Sequence, residues 1–161
     1  MIFGFAAFGL FHVALSFVGI LSGFAVLAGL LRGDRPDGWT HVFLITTAGT
    51  SVTGFLFPFN GFTPGIGTGI VATLVLIPTL LAFYRFNREG RWRRVYVIGA
   101  VASLYLNTFV LVVQSFLKFP QLRGLAPNGN EPPFAIMQGL VLIFFAYAGY
   151  RAVKRSGPVT A

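Results

Sequence analysis

Four stretches of the chain contain no Asp, Glu, Lys or Arg: Met1 to Leu31, Val42 to Tyr84, Val95 to Leu117 and Pro132 to Tyr150. Charge enters only in short bursts between and after them. A helix rises 1.5 Å per residue and needs about 20 apolar residues to cross a hydrocarbon core about 30 Å thick. The second stretch is long enough for two crossings and is broken by Phe57-Pro58-Phe59-Asn60-Gly61-Phe62-Thr63-Pro64-Gly65. Its prolines and glycines remove helix donors and loosen the backbone, which marks a tight turn. The pattern therefore predicts five helical spans, at about 7–31, 40–57, 64–84, 94–117 and 133–150, in a single transmembrane domain over residues 1–161. Barrel strands alternate in polarity over about ten residues, whereas Val95 to Val113 is almost continuously apolar, so helices are expected. Met1 to Leu10 has no basic residue and reads as part of a retained helix rather than a signal peptide.

Composition agrees with the pattern. Of the 161 residues, 55% are hydrophobic and 10% charged, and the mean hydropathy is +0.78. A soluble domain carries roughly a quarter charged residues, so this chain cannot cover a core with polar surface. Having no cysteine, it is not a disulfide scaffold.

The net charge of +8, from twelve Lys and Arg against four Asp and Glu, raises nucleic acid as a partner. Placement argues against it. With five spans, Arg32, Arg35, Arg85, Arg88, Arg91, Arg93, Arg94, Arg151, Lys154 and Arg155 share one face, ten of the twelve basic residues. The positive-inside rule then sets the N-terminus outside and the C-terminus in the cytoplasm. The basic run at 85–94 is too short for a folded nucleic-acid platform. It reads as a topology-fixing loop on anionic headgroups, with Trp92 as an interface anchor. The bilayer is the expected partner, and nucleic acid is not.

Packing signals lie within the spans. Gly19 and Gly23, four apart, and Gly61, Gly65 and Gly69 allow close backbone approach, within the chain or between copies in a homo-oligomer. Pro78 removes a hydrogen bond from the third span, where a kink is expected. Thr46, Thr47, Thr50, Ser51 and Thr53 stud the second span; such hydroxyls bond back to their own helix at little cost.

The candidate site comes from the fourth span. Ser103, Asn107, Gln114 and Lys118 fall within roughly 60° of one another at 100° per residue. Asn107 lies near mid-membrane, where an unsatisfied amide costs several kcal/mol. Other polar groups are expected at the same outer end: His12 and Ser16, Asn60 and Thr63, Gln138, and the loop residues Arg123, Asn128, Asn130 and Glu131. Topology does not explain Lys118 and Arg123, which would favour an anion or polar headgroup, while His12 and Glu131 are the proton-transfer candidates. The proline-stiffened loop Lys118 to Pro133 could cap such a cavity. The alternative is that Asn107 and Gln114 are interhelical glue, with Lys118 snorkelling to the headgroups.

Cofactor chemistry finds no ligand set. His12 and His41 are expected at opposite ends of the bilayer, so one haem cannot take both. Zinc or copper would need a cluster of His, Cys or carboxylate, and none is expected. Gly65-Ile-Gly67-Thr-Gly69 opens a transmembrane helix rather than a phosphate-binding loop. No cofactor, metal or catalytic residue is assigned.

The segments Thr46 to Pro64, Tyr105 to Gln114 and Leu125 to Phe134 resemble those of small uncharacterised bacterial integral membrane proteins. That resemblance implies a bacterial inner membrane and carries over no activity. Tryptophan-rich sensory proteins fit poorly, because only Trp39 and Trp92 are present. Three functional readings follow. The first is an outward-facing site, at His12, Asn60, Asn107, Gln114, Lys118, Arg123, Glu131 and Gln138, that binds or helps transport a small polar or lipid-like ligand. The second is a non-catalytic subunit or assembly partner of a larger membrane complex. The third is a membrane enzyme using His12 or Glu131.

Overall fold

A computed structural model describes residues 2–58, 61 and 64–157. The chain is all-α, with no strand among the described residues. Its helices are α1 (Ile2–Arg32), α2 (Asp37–Phe55), α3 (Pro64–Leu80, continued by a π-helical turn Leu81–Arg85), α4 (Arg91–Lys118), α5 (Pro120–Leu125) and α6 (Pro132–Arg155). Four of them, α1, α3 with its π extension, α4 and α6, are long and apolar enough to cross a membrane. α2 is not among them: Thr40, Thr46, Thr47, Thr50, Ser51, Thr53, Asp37 and His41 dilute its hydropathy.

Four helices form a square in which each packs on the next: α1 on α2, α2 on α3, α3 on α4, and α4 back on α1. α6 lies along α4 and α1, and short α5 folds back against α4. α2 and α4 are diagonal neighbours joined by side chains that reach across. Thr40 Oγ1 and the Tyr96 hydroxyl are 2.8 Å apart, and Asn107 Nδ2 donates to Thr47 Oγ1 at 3.2 Å.

The tight core occupies one end of the bundle. Val26, Leu27 and Leu30 of α1 meet Phe43 and Leu44 of α2, Leu76, Ala82 and Phe83 of α3, Tyr96 to Leu104 of α4, and Phe145 to Ala152 of α6. These are the halves nearest Arg32, Arg88 and Arg155. Toward the other end α1 and α6 expose most of their apolar side chains, among them Leu10, Phe11, Ile136 and Leu140. Gly23 shows how close the core is: a Cβ there would lie 2.6 Å from Leu104 Cδ1 and 2.9 Å from Phe43 Cδ2. The Gly19 and Gly23 face is thus filled by α2 and α4 of the same chain.

Differences from the expected boundaries have local causes. α4 begins three residues early because Arg91-Trp-Arg-Arg94 contains nothing that breaks a helix. α6 runs on to Arg155, with Lys154 and Arg155 complementing the negative end of its dipole. α3 passes Pro78 without ending; its irregularity falls three residues later, in the π-helical turn. The loop expected between Lys118 and Pro133 contains α5, started by Pro120 at its first position. The turn expected around Asn60 and Thr63 lies largely outside the described residues.

Candidate functional site

The sequence-derived residues do not form one cluster. α4 is their common wall, and they divide between its two sides.

On the α1 and α2 side, half-buried His12 places Nδ1 2.8 Å from Thr53 Oγ1, and its ring meets Phe57 edge-on at 5.2 Å between centroids. Thr53 already donates its hydroxyl hydrogen to the Gly49 carbonyl at 2.8 Å. The neutral imidazole therefore donates through Nδ1–H, which leaves Nε2 as an acceptor. Lys118, exposed at the end of α4, lies within electrostatic reach of His12. Further along this side of α4, half-buried Asn107 is bonded to buried Thr47. The Ser103, Asn107, Gln114 and Lys118 stripe thus runs from a buried start to an exposed end, and Gln114 is exposed.

On the α6 side, Gln138 Nε2 donates to the Phe109 carbonyl at 3.2 Å, while its buried Oε1 has no partner. The amide cannot be reversed, because that would set oxygen against the Phe109 oxygen. A second buried atom without a partner, Thr50 Oγ1, belongs to α2.

The connecting loop is organised around Glu131. Its carboxylate accepts from Asn128 N at 2.9 Å, Asn128 Nδ2 at 2.7 Å and Asn130 N at 3.1 Å. Partial desolvation would raise the pKa of this carboxyl, but the three donors outweigh it and hold the group below the usual range. Glu131 thus staples the loop by accepting from Asn128 and Asn130. Arg123 is exposed on α5. Asn60 lies outside the described residues.

The sequence reading missed a cluster at the opposite end. Asn87 and Arg88 have positive φ of 48° and 58°, a left-handed bend that turns the chain after the π-helical segment. It sends the Arg88 side chain into the bundle, leaving it 9% exposed. The guanidinium forks onto Asp37, Nη1 to Oδ1 at 2.6 Å and Nη2 to Oδ2 at 3.0 Å. It also stands over the rings of Phe83, at 4.7 Å, and Tyr96, at 5.4 Å. Hydrogen bonding from Arg88 is the main cause holding the Asp37 carboxyl below its usual value; partial burial works against it, and Arg35 and His41 add to it. His41 is nearby, with Nδ1 3.0 Å from the Tyr84 hydroxyl. A residue can be one of several loop arginines in sequence and still be the only one the backbone turns inward, and no spacing signal distinguishes that case.

No group of three or more His, Cys, Asp or Glu is placed to hold a metal ion among the described residues. No family model, curated protein or solved structure matches the chain.

Proposed function

We propose that this chain is a multi-pass protein of a bacterial inner membrane, crossing five times, with its N-terminus outside and its C-terminus in the cytoplasm. In this reading its outer half binds, or helps to move, a small polar or lipid-like ligand. The loop charges and the resemblance of Thr46 to Pro64 and Tyr105 to Gln114 to small bacterial membrane proteins support the location. α2 serves as the fifth crossing. Its 19 residues reach about 28 Å, and its polarity is largely internalised: Thr40, Thr46 and Thr53 each donate to the carbonyl four residues back. Hydroxyls satisfied in that way cost little in hydrocarbon.

The observation that carries the ligand reading is the arrangement of His12, Thr53 and Lys118. At an end where packing is loose, it presents a nitrogen acceptor within electrostatic reach of an ammonium. The ammonium suits a ligand with an acidic head and an apolar tail, while His12 Nε2 is left to accept from a hydroxyl. Decanoate is a direct probe. In the detergent-solubilised full chain it should raise the thermal midpoint saturably, and Lys118→Ala should abolish the rise without preventing membrane insertion. An undiminished response in Lys118→Ala, or no response in the wild-type chain, counts against the site.

The second reading, a non-catalytic subunit of a larger complex, is favoured by α6. Only 11% of its most apolar window is buried, which leaves Ile136, Leu140, Ile143 and Phe144 facing lipid or another protein. Recovery of nothing but the monomer in mild detergent counts against that reading and against a homo-oligomer.

A further inference from the structure

The arginines at the basic end converge as well as segregate. Arg35 from the α1–α2 connection, Arg88 from the α3–α4 connection, and Arg91, Arg93 and Arg94 from the first turn of α4 line one open concavity of about 530 Å³. Glu89 is the acid of that lining, and a smaller crevice beside it adds Arg155 together with Asp34, which is paired with Arg32. The ion pairs among the described residues are Arg32 with Asp34 and Arg88 with Asp37. Arg35, Arg91, Arg93 and Arg94 therefore face the hollow with no carboxylate bound to them. Arg88, which also lines it, is more than nine-tenths buried, and its Nε has no acceptor.

The local rules of helix construction are broken at the same place. A helix presents partial positive charge and unsatisfied N–H groups at its N-terminus, where Asp, Glu and oxygen-bearing caps are favoured. The 28-residue α4 instead starts after Gly90 with no side-chain cap and no acid in its first turn, and places three arginines there. The positive-inside rule accounts for arginines on this side of the membrane. It does not require them to share a hollow or to crowd a positive helix end. Arg85 and Arg151 serve topology equally well while lying against Phe86 and Tyr147.

We propose that this concavity binds a phosphate-bearing anion, held by the guanidinium forks of Arg35, Arg91, Arg93 and Arg94 at the N-terminal end of α4. Guanidinium matches phosphate oxygens two at a time, and the helix N-terminus adds a favourable field, although its Trp92 and Arg93 N–H groups are already taken by the Glu89 and Gly90 carbonyls. The volume accommodates a diphosphate or a glycerophosphate head, and either a soluble phosphate or an anionic phospholipid of the adjoining leaflet supplies that chemistry. The site shares no residue with the outer one and stands independently of it.

The test follows thermal unfolding of the full chain in non-ionic detergent, through its tryptophan fluorescence, at constant ionic strength. The probes are inorganic pyrophosphate and dioleoylphosphatidylglycerol, with dioleoylphosphatidylcholine as the uncharged comparison. A saturable rise in midpoint is expected with at least one anionic probe and none with phosphatidylcholine. A response to pyrophosphate identifies a soluble ligand, and a response to phosphatidylglycerol alone identifies a lipid headgroup. Arg91→Gln/Arg94→Gln should weaken the apparent affinity about tenfold or more, since each removed fork takes a charge-assisted pair with it. Arg35→Gln, on a different element, should weaken it in the same direction without touching α4. Arg85→Gln/Arg151→Gln, which removes equal charge outside the hollow, should leave the affinity close to wild type. No response to either anionic probe, or equal losses in the two double variants, overturns the proposal.

Discussion

Asp37→Asn should lower the thermal midpoint sharply, at an expected cost of about 2–3 kcal/mol. The two members of the Arg88–Asp37 pair are buried unequally: the arginine side chain is 9% exposed and the aspartate 50%. Removing the carboxylate leaves a guanidinium held over the rings of Phe83 and Tyr96, where water replaces the lost oxygens poorly. The reverse change, Arg88→Met, leaves a carboxylate that is half in water and fills the hole with apolar atoms, so it should cost less, about 1 kcal/mol. A larger loss from Arg88→Met than from Asp37→Asn would mean that ring stacking, not charge pairing, holds the loop. The pair also sets a pH dependence. The Asp37 carboxyl titrates below its unfolded value, so its contribution is complete above the ordinary aspartate range, about pH 4. It is lost as pH falls through the depressed folded value. Thermal midpoints of wild type and Asp37→Asn should therefore converge on acidification and stay apart at neutral pH.

Gly99→Ala should be comparably damaging for a purely steric reason. Gly99 lies where α4 crosses α3, and a Cβ there would collide with the Thr79 side chain. Thr79 is fully buried, with its hydroxyl fixed to the Val75 carbonyl at 2.7 Å, so it cannot swing aside. The helices must separate instead, at a cost of about 2–3 kcal/mol for overpacking. Thr79→Ala removes the colliding oxygen, and the Gly99→Ala/Thr79→Ala double variant should recover part of the loss. Additive losses in the double variant would show that the glycine matters for some other reason.

The all-helical character, and four of the five expected long apolar helices, are legible because uncharged runs of membrane length have few other solutions. Helix ends are less legible, since residues such as Arg91 to Arg94 and Arg151 to Arg155 are good helix formers and simply continue the neighbouring helix. α5 is hidden because six residues beginning with Pro120 give no periodicity to read. The candidate site is legible only as a list of polar residues at one end. His12 and Thr53 are 41 positions apart, and whether they meet depends on the register of α1 against α2. That register is set by Gly23 nesting against Phe43 and Leu104. Gln138 shows the same limit: its spacing suggests the outer face, but packing puts its amide against the Phe109 carbonyl of α4. Arg88 was hidden differently, because its environment depends on a left-handed bend that Asn87 and Arg88 do not announce.

The proposed five crossings, with the basic loops on the cytoplasmic side, require particular loop residues to face particular compartments. The chain contains no cysteine, so single cysteines can be introduced into an unmodified background and labelled in intact cells with a membrane-impermeant maleimide. Asn60→Cys and Asn130→Cys should label from outside, while Asp34→Cys and Glu89→Cys should label only after the membrane is permeabilised. Labelling of Asn60→Cys only after permeabilisation, on the same side as Asp34→Cys, would mean that α2 does not cross and would contradict the topology.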